Sequence, residues 1–186
     1  MAVLPIVEAP AAVLAAPARE VLASEFGAEL EAFVADMAET MYAAPGVGLA
    51  APQVNDGRRI VVVDSGNHDG IRSGLLRMVN PQIVQRSKET IGWMETCLSV
   101  PELEVKVQRN LHITVKWLEP DGTEKEHAFE HYESVIIQHE LDHLEGTVLL
   151  DRVSGFVSNG NNSLYNCPHC LWAYRIQSCE EELCVG

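Results

Sequence analysis

The sequence predicts an α+β fold in which mixed and antiparallel β-sheets surround one central helix, with an amphipathic helix near the N-terminus. Three observations carry this. The middle of the chain is dominated by short β-branched runs such as Ile60-Val61-Val62-Val63, punctuated by Pro, Asn, Asp and Gly. An apolar stripe of helical period precedes them, made of Phe26, Leu30, Phe33, Val34, Met37 and Met41. A second helical segment follows, in which Val135, Ile136, Ile137, Leu141 and Leu144 surround the charged run Gln138-His139-Glu140-Leu141-Asp142-His143.

Taken in order, Ser24 is placed to cap a first helix of about 19 residues whose stripe belongs to the core. Pro45 and Gly46 stop it. Residues 58–64 read as a buried strand, and 75–85 as more strand with Asn80-Pro81 as a turn or bulge. Residues 105–118 and 125–129 read as a hairpin around Pro120-Asp121-Gly122. The central helix should run over 131–145 and end at Gly146. No internal repeat is present. A chain of 186 residues suits one domain with a sizeable core, assigned to residues 1–154. Composition changes abruptly after Ser154, so 155–186 is set apart as an atypical Cys-containing tail.

The chemistry starts on the central helix. Positions four apart share a helix face, so His139 and His143 can point at one metal ion. Glu140 between them can accept a proton from water at that ion, which makes this the metal-binding helix. Charged Glu140 and Asp142 on an otherwise apolar helix need such a reason to be buried. A third ligand separates the candidate reactions. A metzincin would place His at position 149, where this chain has Leu149, although Gly146 fits. A thermolysin-like enzyme needs a later Glu, and Glu180-Glu181-Glu182 is the available cluster. Two upstream segments offer more. Gly46-Val47-Gly48-Leu49-Ala50-Ala51-Pro52-Gln53 is rich in small residues, which lets backbone approach a ligand, and ends in a side-chain amide donor. Glu95-Thr96-Cys97-Leu98-Ser99 supplies Cys97, whose thiolate would complete a Cys-His-His set and leave a fourth position open.

These three segments, in this order, resemble the peptide deformylase family, whose pattern is G-x-G-L-A-A-x-Q, then E-G-C-L-S, then Q-H-E-x-D-H. The resemblance runs from about Leu4 to Asp151 and is complete in the first and third motifs. It implies a hydrolase of protein biosynthesis that removes the N-formyl group from the leading formylmethionine of newly made polypeptides and releases formate. Cys97, His139 and His143 would bind one divalent metal, natively Fe(II), with Zn, Ni or Co able to occupy the same donors. Glu140 would be the general base and acid, and the Gln53 amide and Leu98 backbone N–H would form the oxyanion hole. Val47 and Gly48 would bind the peptide as an added strand. Tyr132, Val135 and Ile136 lie seven, four and three residues before His139, on its face of the helix, and should line the methionine pocket with Trp93 and Leu98 opposite. Family members pair the Glu95 position with an Arg, here Arg109, to hold the Cys97 loop. The departure is Thr96, where the family has Gly. Its backbone must either lie in the ordinary β region or shift the loop.

Thirteen basic against 27 acidic residues give a formal charge of −14, which argues against phosphate-binding interfaces, direct DNA binding and anionic membranes. Pro5, Pro10 and Pro17 break the early apolar run, and no basic stretch precedes it, so no signal peptide is expected. The cytoplasm is the expected location, since it keeps a thiolate ligand reduced, and a monomer is the expected state. Many bacterial members of that family carry a basic C-terminal helix that helps them dock on the ribosome. Residues 151–186 hold two Arg, one Asp and three Glu, so ribosome contact stays open. Cys167, Cys170, Cys179 and Cys184 suit a second zinc site, a disulfide or an irregular tail, with the last favoured. Two competing readings remain: an H-E-x-x-H metallopeptidase with a third ligand other than Cys97, and a catalytically silent relative used for binding.

Overall fold

The computed structural model describes residues 2–66, 74–152, 157–159 and 162–164, the last two segments by their backbone alone. The four cysteines of the expected tail lie outside the described residues, as do residues 153–156, where the expected boundary falls. Helix α1 spans Ala28–Ala43 and α2 spans His131–Leu144. The strands are β1 (Gly48–Ala50), β2 (Ile60–Val63), β3 (Leu76–Arg86), β4 (Thr90–Cys97), β5 (Val100–Asn110), β6 (His112–Leu118), β7 (Glu124–Glu130), β8 (Val157–Asn159) and β9 (Asn162–Leu164). An antiparallel sheet runs in the order β1-β2-β3-β6-β7, while β4-β5 and β8-β9 form separate antiparallel pairs. The α+β expectation holds.

Strand β2 shows why a continuous β-branched run suits this position. Val61 and Val63 pack with Ile136, Ile137, Leu141 and Leu144 of α2, while Ile60 and Val62 pack with Leu30, Val34, Met37 and Met41 of α1. The two helices thus cover opposite faces, and every β2 side chain is buried. A third cluster joins Val100, Leu103, Val105 and Val107 of β5 to Cys97, Leu14 and Val148 through Leu150, giving the hairpin a core of its own.

Three expectations need correction. Ser24 does not cap α1: it lies in a separate 3-10 turn, Ala23–Glu25, and Gly27, at φ 139°, separates that turn from the 16-residue helix. The carboxylate of Glu25 holds the turn instead, accepting from Leu22 N–H at 2.8 Å and from both terminal nitrogens of Arg19. Residues 105–118 are not one strand. The chain leaves β5 at Asn110 and enters the other sheet at His112, because α2 captures the Asn110 backbone: Gln138 Oε1 accepts its N–H at 3.1 Å, and Ser134 Oγ and Gln138 Nε2 donate to its carbonyl at 2.8 and 2.9 Å. Cys97 sits at the end of a strand rather than in a loop, with Leu98-Ser99 as a two-residue turn and Val100 as its cross-strand partner. The Asn80-Pro81 irregularity is a bulge, with Asn80 at φ 52° and its amide exchanging hydrogen bonds with both backbone groups of Val21. The hairpin of β6 and β7 and the stop of α2 before Gly146 follow the sequence reading.

Candidate metal centre and active-site cleft

The β4–β5 turn and helix α2 meet at Cys97, His139 and His143. One donor atom from each lies within 4.8 Å of the others, and all three residues are buried. Cys97 Sγ is 3.3 Å from His143 Nε2. Two donors on one tetrahedral ion would stand about 3.6 Å apart, so this spacing suits a shared metal. The Nδ1 of His139 is engaged by Glu95 Oε2 at 2.8 Å, which leaves Nε2 for an ion. Among the described residues two buried polar atoms lack a partner, Glu140 Oε2 and His143 Nδ1. The first of these belongs to the residue expected to handle a proton. Thiolate and imidazole donors are what Fe(II), Zn, Ni and Co accept, so the donor set fits a divalent transition metal.

Electrostatics separate the three helix residues. Burial pushes the Glu140 carboxyl up to about 7. Burial also lowers His143, to about 3, helped by the positive charge of His139 and Arg109. For His139 burial again opposes charge, yet hydrogen bonds to Cys97 and Glu95 and the charge of Glu140 prevail and raise it well above the ordinary imidazole value.

A cleft of about 390 Å3 opens onto these groups, lined among others by Val47, Gly48, Gln53, Thr96, Cys97, Leu98, Tyr132, His139 and Glu140. Gln53 is 2 % exposed, and its amide is used at both ends. Its Oε1 accepts the Ala50 N–H at 2.8 Å, so its Nε2 faces Ser99 Oγ at 3.3 Å and Cys97 Sγ at 3.8 Å. Gly48 leaves room for the base, since a Cβ there would overlap the Glu140 carboxylate and stand 2.8 Å from its Cδ. Thr96 is extended, paired with Glu104 and exposed, so the ordinary β alternative holds, with a register shift between it and Cys97. Three expected pocket residues are not in this lining. Trp93 packs on Tyr132 with ring centroids 5.2 Å apart, and Val135 and Ile136 are buried, Ile136 within the core between α2 and the large sheet.

Glu95 and Arg109 pair as expected, through Nε–Oε1 at 2.7 Å and Nη2–Oε2 at 2.8 Å. Sequence reasoning missed that Glu95 also holds His139, that Asp142 holds Arg109 at 2.6 Å, and that Ser99 and Pro101 contribute to the site. The signal for Asp142 is its charge on a buried helix. No comparable signal marks Ser99, whose place depends on the turn.

Fold and candidate donor set together match the class of H-E-x-x-H hydrolases, with Cys97 placed where a third metal donor could stand. The polypeptide deformylase family model matches residues 3–159. A peptide deformylase of Polynucleobacter necessarius is 47% identical over 133 residues, covering 72% of this chain and 76% of that one. One from Fusobacterium nucleatum is 44% identical over 138 residues, with 74% and 76% covered. Among solved structures, the Thermotoga maritima peptide deformylase superposes with TM-score 0.77 at 37% identity, covering 83% of this chain and all of that one. The Met-Ala-Ser-bound class I type b enzyme of Acinetobacter baumannii gives 0.76 at 35%, covering 81% and 98%. The chain belongs to the polypeptide deformylase family and is, like these relatives, an enzyme that removes a formyl group.

Proposed function

We propose that this enzyme hydrolyses the N-formyl group of the leading formylmethionine on newly made polypeptides in the cytoplasm, releasing formate. The observation that carries this is the convergence of Cys97, His139 and His143 donor atoms within 4.8 Å of one another, together with the buried, unpartnered Oε2 of Glu140. Those three residues would hold one divalent ion, natively Fe(II), which when bound acidifies water and polarises a carbonyl. Glu140, buried at the cleft, is placed to take a proton from the attacking water and return it to the amine as the formyl C–N bond breaks. Gln53 Nε2, facing the Cys97 sulfur, and the Leu98 N–H at the turn are the donors for charge growing on the formyl oxygen. Val47 and Gly48, at the open edge of β1, take the peptide backbone as an added strand. Tyr132 and Leu98, in the cleft lining, wall the methionine side chain, with Trp93 packed on Tyr132, and Thr96 meets the peptide at the cleft wall. The Met-Ala-Ser bound to the Acinetobacter relative supports a methionine-led peptide as substrate.

Formate release from formyl-Met-Ala-Ser by anaerobically purified protein tests the reading. Formate should appear in step with metal content, and none from fully loaded protein would overturn it.

A further inference from the structure

We infer that Arg152 is a positioning residue for the metal centre: it acts through Asp142, Arg109 and Glu95 to hold His139 in its ligating orientation. The inference rests on reading Cys97, His139 and His143 as the metal donors. It follows from an unbroken series of ion pairs that leads from the surface to an interior ligand. Arg152 has a side chain 44% exposed, whereas those of Arg109 and Glu95 are 5% and 4% exposed.

Each link restricts the next. Arg109 places Nε on Glu95 Oε1 and Nη2 on Glu95 Oε2, a two-point grip that fixes the plane of the carboxylate. That plane aims Oε2 at His139 Nδ1, 2.8 Å away, and so sets the direction of the imidazole. The remaining terminal nitrogen of Arg109 donates to Asp142 Oδ2 at 2.6 Å. Arg152 in turn grips both oxygens of Asp142, with Nε on Oδ2 at 2.9 Å and Nη2 on Oδ1. The turn that presents Arg152 is itself anchored: Leu149 and Leu150 are packed into the hairpin core, and Asp151 Oδ2 accepts the Val148 N–H at 2.9 Å.

Charges alternate along this series, with two carboxylates and two guanidiniums. Without Arg152, Arg109 alone would face both Glu95 and Asp142. Asp142, with its side chain 15% exposed, would be free to turn and draw Arg109 from the geometry that aims Glu95. Asp142 is also three residues after His139 on α2, so its displacement would be felt on the ligand's own helix. Loss of a group that directly supports a ligand costs 10–100-fold in metal affinity, and Arg152 acts through three intermediaries, so about a 10-fold loss is expected.

The test uses the full chain loaded with Zn(II), challenged with a chelator under native conditions, and with Co(II) for its absorption spectrum. Arg152→Ala should release Zn(II) about 10-fold faster than wild type and alter the Co(II) spectrum, and Arg152→Lys should fall between them because one ammonium cannot reproduce the two-point grip. In an Asp142→Asn background, Arg152→Ala should change release by less than about twofold, because the intermediary is already lost. A merely structural role would lower the melting temperature and leave release rate and spectrum unmoved. Wild-type retention with unchanged release from Arg152→Ala overturns this inference alone, as does an equal acceleration in the Asp142→Asn background. A wild-type chain that takes up no Zn(II) overturns it together with the donor-set reading.

Discussion

Gln53 gives one amide two tasks. Its oxygen is occupied by the Ala50 N–H, so its nitrogen must face Ser99 and the Cys97 sulfur. Removing one oxyanion donor of this kind costs on the order of 10²–10³ in kcat, so Gln53→Ala should lose that much with metal content unchanged. Near wild-type turnover in fully metallated Gln53→Ala would take the amide out of this role. Glu140 makes a different prediction, for the metal-free protein. Its pKa rises from the ordinary 4.5 to about 7. As pH climbs through this window, the unfolded chain gives up a proton that the folded one keeps, so stability falls with pH. The cost is absent below 4.5, grows from there to about 7, and reaches on the order of 3 kcal/mol. Metal-free Glu140→Gln should therefore gain on metal-free wild type by about that amount across the window, read from urea unfolding at both ends. A difference that does not vary with pH would sink this. At this scale the sequence pointed to the side chains that the fold gathers at the candidate centre, since ligand chemistry permits few residue types at fixed spacing. It was less so for Asp142 and Ser99, whose roles exist only once α2 faces the β4–β5 hairpin.

Elements were legible where a single period governed them, and not where tertiary contacts decided. The β2 run reads correctly because burial on both faces demands continuous apolar residues. The break at Leu111 is invisible, because nothing in the alternation of residues 105–118 announces that Gln138 and Ser134 of a later helix will take the Asn110 backbone. Ser24 misleads for a related reason: a good capping residue was present, but Glu25 closes a separate turn three residues before the helix starts. Thr96 tolerates its position because the strand there is extended, so the glycine of the family pattern is not required for backbone geometry. Gly146 is different. It stands at φ 69°, and a Cβ would lie 2.8 Å from the Ala15 carbonyl oxygen and 2.9 Å from the carbons of Ala15 and Ala16, all backbone that cannot swing away. Gly146→Ala should cost at least about 2 kcal/mol, combining left-handed strain with that overlap. Gly57→Ala, with open space around it and no positive φ, should be neutral to slightly stabilising. Urea denaturation of the pair checks both, and equal midpoints would refute the close approach at Gly146.

Across the molecule, the three donors belong to different packing units. Cys97 ends β4 in the hairpin sheet, whose core is separate, while His139 and His143 lie on α2, which packs against the large sheet. A bound ion would therefore add a tie between two layers that also meet through the Glu95–Arg109–Asp142 ion pairs, the Glu95–His139 bond and the bonds of Ser134 and Gln138 to Asn110. Binding confined to the folded state stabilises by about 2.7 kcal/mol at a free metal concentration 100 times Kd. Stripping the metal should lower the melting temperature, and Zn(II) should restore it in a concentration-dependent way. The loss should also be uneven. Amide exchange in the metal-free protein should accelerate most in β4 and β5, which lose their covalent-like tie to α2, and least in β2, which is enclosed by both helices regardless of metal. Because the metal is expected to carry away the proton that His139 otherwise holds, its uptake should also release protons into a weakly buffered solution. A melting temperature indifferent to metal, or exchange that rises equally in β2 and β5, would show that the ion sits in a frame already rigid without it.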